Sequence, residues 1–150
     1  AAADRAADGA PRAGQEAVPQ EAAAGDAADD SDDLPPKSQG TARGNVVAVL
    51  AALRRAGRDP AAEPWVVDCD SSAGRAKCSK DVSPCITRSR ASGHWITNRG
   101  RRFTVPEMMR LQGMDPQSFK QVVTDRQLGA LIGNSMSVNV LERLFASLFL

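Results

Sequence analysis

No charge-free apolar run in the sequence approaches the ~18 residues that a membrane-spanning helix needs, so no membrane partner is expected. The first residues lack the apolar core of a secretory leader. Methionine does not open the chain, which reads as a fragment or a processed product. Cysteine is scarce: Cys69, Cys78 and Cys85 are odd in number and lack the spacing of a disulfide framework. They read as free thiols in a reducing compartment. The expected location is intracellular, and nuclear if the source is a eukaryote.

Charge is divided unevenly along the chain. Residues 1–40 hold nine acidic and three basic residues, a net of −6, whereas residues 41–150 hold sixteen basic and nine acidic, a net of +7. The overall +1 therefore conceals an acidic tail on a basic body. The tail is rich in Ala, Asp, Gly and Pro and has no aromatic residue. Such a segment cannot bury enough apolar surface to offset the entropy of ordering, so residues 1–43 read as a disordered acidic segment. The basic body points to an anionic partner.

Within the body, Asn45 reads as a helix cap, with Val46, Val49, Leu50 and Leu53 on one face and Gly57 and Asp59-Pro60 at the end. WVVDCD, 65–70, is a strand candidate, and residues 71–82 read as polar and mobile. CITRSR and HWITNRG read as extended segments around Ser92-Gly93, a hairpin candidate. Thr104 and Glu107 form a capping box with Pro106 in the first turn, and Gly113 ends that helix. Thr124 and Gln127 repeat the box for a helix stopping at Gly133-Asn134. A last helix begins near Ser135. Its stripe of Val138, Leu141, Leu144, Phe145 and Leu148 is worth about 1.5–3 kcal/mol per residue once buried. The body offers little surface to bury it, so part of its natural partner surface reads as lying outside this chain.

GRRFTVPEMMRLQGM, 100–114, and QLGALIGNSMSVNVLERL, 127–144, together resemble the ninth and tenth motifs of the DNA (cytosine-5)-methyltransferase family. Their order, separation and closeness to the C-terminus also fit, and the likeness covers roughly residues 83–149. Two departures are Pro106, where the family often has Arg, and Met114-Asp115-Pro116, where it commonly has Phe-Pro-Asp. The resemblance implies an α/β S-adenosylmethionine-dependent methyltransferase fold in a complete enzyme. The chain itself is expected to be mostly helix with a few short strands. It divides into the tail, an end of the target-recognition region at 44–99, and the closing motifs at 100–150.

The resemblance also implies S-adenosyl-L-methionine as methyl donor, with Gly133, Asn134 and Ser135 in its pocket. Gly133 lets backbone come close to a ligand, Asn134 offers an amide, and Ser135 starts a helix whose free N–H groups attract a carboxylate. DNA is the implied partner. Between Arg75 and Arg102 there are eight Lys or Arg against one acid, Asp81. Arg88, Arg90, Arg99, Arg101 and Arg102 are the candidate phosphate contacts, which would make binding fall steeply with salt. His94, Trp95 and Thr97 are candidates for approaching bases. Arg110 reads as a helix residue paired with Glu107.

Methylation at C5 of cytosine needs a thiolate that adds at C6 and a base drawn out of the stack. In the family those jobs belong to Pro-Cys-Gln and Glu-Asn-Val motifs far upstream. Here Pro84-Cys85 is followed by Ile86 and stands about fifteen residues before the ninth motif, with no Glu-Asn-Val after it. The Gly-rich donor-binding opening is missing too. No catalytic residue is therefore expected in this chain, and the upstream catalytic part of the same enzyme becomes an expected partner. Two competing readings remain. One is a zinc-binding nucleic-acid module with Cys69, Cys78, Cys85 and His94 as ligands, at gaps of eight, six and eight residues. The other is a non-enzymatic interaction fragment with an acidic arm.

Overall fold

The computed structural model describes residues 34–149, and the acidic segment 1–33 lies outside the described residues. Four helices and four very short strands follow in the order α1 (Gly40–Arg55), β1 (Trp65–Val67), β2 (Cys78–Lys80), β3 (Trp95–Ile96), β4 (Arg101–Arg102), α2 (Val105–Leu111), α3 (Asp125–Asn134) and α4 (Val138–Phe149). Tight 3-10 turns cover Arg88–Arg90, Thr97–Arg99 and Pro116–Ser118.

The strands form one antiparallel sheet in the order β2-β1-β3-β4. Val67 stands opposite both Cys78 and Trp95, which makes β1 an interior strand. All three β1 residues are buried. Side chains alternate across a strand, so Trp65, Val67 and Cys69 share one face. That face packs with Trp95 against Ala42, Val46, Val49 and Leu53 of α1. A second core gathers Ile86, Met108, Met109 and Ile132, with Phe103, Val105, Met114 and Leu128 around them. It ties α2 to α3 and to the loop after β2.

Several expectations are corrected. Helix α1 begins at Gly40, five residues before Asn45, so residues 40–43 are helical. Asn45 is not a cap but a buried clamp inside the helix. Its Nδ2 donates to the carbonyls of Cys69 and Ser71, each at 2.9 Å, and its Oδ1 accepts from the Gly74 N–H at 3.1 Å. Residues 78–80, read as part of a mobile stretch, are strand β2. The hairpin lies later than Ser92-Gly93: β3 pairs with β4 across the Thr97–Arg99 turn. Arg88–Arg90 is a 3-10 turn rather than an extended segment.

Both capping boxes form as read. Thr104 accepts from the Glu107 N–H, Thr124 accepts from the Gln127 N–H, and each return bond is present. Gly113 takes the left-handed conformation, φ +75°, at the end of α2. The turn at Met114-Asp115-Pro116 is built by Asp115, whose carboxylate accepts from the Gln117 N–H at 3.0 Å.

Candidate functional site

The two motifs that carry the resemblance meet at the junction of α2, α3 and α4. The Val138 N–H donates to the Gln112 carbonyl at 2.9 Å, and Gln112 Nε2 donates to the Ile132 carbonyl at 3.3 Å. Asn139 closes against Gly113, where a Cβ would stand 2.5 Å from Asn139 Oδ1. One glutamine therefore joins the end of α2 to the end of α3 and the start of α4.

The three residues expected at the donor differ in what they offer. A Cβ on Gly133 would collide with the Thr87 carbonyl, so this glycine seats α3 against the chain's own backbone rather than a ligand. Ser135 does not start α4; it ends α3, and its hydroxyl donates to the Ile132 carbonyl at 2.7 Å. Asn134 is exposed, and its side-chain amide makes no hydrogen bond among the described residues. The Met136 and Ser137 N–H groups also make no backbone hydrogen bond there, between the end of α3 and the start of α4. Gly133 and Ser135 therefore hold the junction in shape, while the Asn134 amide and those two N–H groups are left without partners among the described residues.

The arginines also sort into two kinds. Arg90 grips Asp68 with two bonds, at 2.6 and 2.9 Å. Arg101 grips Glu107 with two bonds at 2.8 Å, and Arg102 grips Asp70 with two at 2.8 Å. Forked pairs of this kind are directional and strong for surface contacts. Arg99 lies 3.6 Å from Glu107 and is largely exposed. Arg88 has no carboxylate partner among the described residues. Of the five expected phosphate contacts, three are thus engaged inside the protein. Arg110 does not pair with Glu107, because Arg101 and Arg99 occupy that carboxylate. The hydrogen bond from Arg101 pulls the Glu107 carboxyl down to about 2.

The residues considered for base contact are buried. His94 is 1% exposed, with Nε2 3.3 Å from the Cys85 carbonyl and Nδ1 3.7 Å from Asp68. Burial pushes its pKa below the ordinary value, and the hydrogen bond with the Cys85 carbonyl and the nearby Asp68 only partly offset this. The Thr97 hydroxyl accepts from the Trp65 N–H and donates to the Glu63 carbonyl. Trp95 belongs to the α1 core. These three side chains hold the sheet and do not present to a base.

The zinc reading fails on geometry. Cys69 is buried, Cys78 half-buried and Cys85 exposed, and no group of three metal-ligating side chains converges among the described residues. Burial pushes the Cys69 thiol up to about 11, so it is a protonated, inert thiol here. Cys85 Sγ lies 3.9 Å from the Ile86 carbonyl, and Arg90 turns to Asp68. No helix among the described residues is long and apolar enough to cross a membrane.

A groove of about 710 Å³ opens between the Arg88–Arg90 turn and the first half of α3. Sequence reasoning missed it, because its walls come from segments some thirty-five residues apart. The only hint was the pair Gly129 and Gly133, one helical turn apart on α3.

Comparison with known proteins adds one result. A family model described as C-5 cytosine-specific DNA methylase matches residues 35–150. No curated protein and no solved structure matches the chain.

Proposed function

The chain belongs to the C-5 cytosine-specific DNA methylase family, and from that premise we propose that it is the C-terminal part of an enzyme that methylates cytosine in DNA at C5. The donor in this reading is S-adenosyl-L-methionine, which supplies the electrophilic methyl group when bound. The single observation that carries the reading is the α2–α3–α4 junction. Gln112 draws the two motifs together there, and Asn134 is left with an uncommitted amide beside two free N–H groups.

In this reading the Asn134 amide and the Met136 and Ser137 N–H groups would hold the donor's carboxylate. Gly133 and Ser135 act by positioning them. The attacking thiolate and the carboxylate that steadies the cytosine ring belong to an upstream part of the same enzyme. Cys85 does not fill that role, since Ile86 follows it and no Glu-Asn-Val motif is present in these residues. The complete domain would have the family's α/β methyltransferase fold, with α4 laid against its upstream portion.

The test is isothermal titration of S-adenosyl-L-methionine into a version extended upstream to include the Pro-Cys-Gln and Glu-Asn-Val motifs. Asn134→Ala should weaken binding by about tenfold or more, the loss expected when a hydrogen bond to a charged group is removed. Equal affinity for Asn134→Ala and the parent protein would sink the assignment.

A further inference from the structure

We propose that the groove between the Arg88–Arg90 turn and α3 is a phosphodiester site that grips the DNA backbone, with Arg88 and Arg126 as its cations. This rests on the DNA reading above and names where the grip lies. The groove is lined by Arg88, Ser89, Ser92, Thr124, Arg126 and Gln127. Neither arginine has a carboxylate partner among the described residues. The acid in its wall, Asp70, is already gripped by Arg102 with two bonds at 2.8 Å. The charge that remains available to a ligand is therefore positive.

The walls are set by backbone rather than by flexible side chains. A Cβ on Gly129 would collide with the Ala91 carbonyl, and one on Gly133 with the Thr87 carbonyl. The two glycines let α3 sit directly on the 3-10 turn, which fixes the Cα positions of both arginines relative to each other. The Thr124 hydroxyl is spent on Gln127 as part of the helix cap, whereas Ser92 keeps its hydroxyl free among the described residues.

The chemistry favours a polymer over a small anion. Both arginines are exposed, so a single hydrated phosphate gains little from them. A duplex gains in addition from release of its condensed counterions. Only Ala91 and Ala130 among the groove's lining residues are apolar, unlike the large hydrophobic and aromatic side chains that line a small-molecule pocket.

The experiment is fluorescence anisotropy of the full chain with a labelled DNA duplex across a series of salt concentrations. Replacing both cations, Arg88→Ala with Arg126→Ala, should lower the slope of log affinity against log salt by about 1.8, and the affinity near 0.1 M salt by about 50-fold. Arg88→Lys with Arg126→Lys should restore most of the slope, because charge is kept. Arg54→Ala with Arg55→Ala removes equal charge from outside the groove and should leave the slope unchanged. Since neither groove arginine has a carboxylate partner among the described residues, the groove variants should melt with the parent chain. If the parent binds and the alanine pair has the same slope, or if the Arg54 and Arg55 pair lowers it equally, the groove assignment is overturned while the DNA reading stands. If the parent chain does not bind duplex at all, both are overturned.

Discussion

Helix α1 turns Ala42, Val46, Val49 and Leu53 to one side, and helix α4 turns Val138, Leu141, Leu144, Phe145 and Leu148 to one side. Both stripes follow helical spacing. The first is met by Trp65, Val67, Cys69 and Trp95 and disappears from solvent. The second is met by almost nothing: Leu144 is 48% exposed, Phe145 50% and Leu148 64%. Helix α4 has no buried residue and is held mainly at its start, through Val138 and Asn139. The apolar face of α1 is therefore covered within the described residues, while α4 leaves most of its stripe exposed. An amphipathic helix draws most of its stability from the face it buries, and α4 leaves most of that face exposed here.

The comparison breaks most sharply in α1. Leu53 is 1% exposed, so Leu53→Ala should cost about 2–5 kcal/mol of unfolding free energy, read by denaturant melts. Asn45→Ala comes next. It strands the Cys69 and Ser71 carbonyls and the Gly74 N–H, and should cost about 1–3 kcal/mol in the same assay. Acid should act through Glu107 and His94. The folded Glu107 value of about 2 lies below the ordinary 4.5, so its pairing with Arg101 stabilises fully above 4.5 and fades as pH falls toward 2. His94 is likewise depressed, so its neutral buried ring favours the fold above 6.5 and is lost on acidification. Melting temperature should fall in both windows, and Glu107→Gln should flatten the lower one. The smallest effect belongs to α4: Leu148→Ala should change stability by no more than about 0.5 kcal/mol, despite being the same kind of truncation as at Leu53.

What was legible in the sequence was local. The capping boxes at Thr104 and Thr124 and the stop at Gly113 depend on residues three or four apart, and they form as read. Asn45 was misread because the groups it serves lie 24 to 29 residues away. Taken alone, an asparagine before an apolar run looks like a cap. The hairpin was misplaced for the same reason, since strands of two or three residues take their positions from pairing across the sheet. Arg90, Arg101 and Arg102 looked like a free basic face. The carboxylates that hold them, Asp68, Glu107 and Asp70, are brought close only by the fold. The junction at Gln112 was legible only as two motifs, not as one contact.

The most direct test of this account is amide hydrogen exchange on the chain as it stands. Strong protection is expected for α1 from Val46 to Leu53 and rapid exchange through α4 beyond Leu141. Protection of α4 equal to that of α1 in the isolated chain would contradict it.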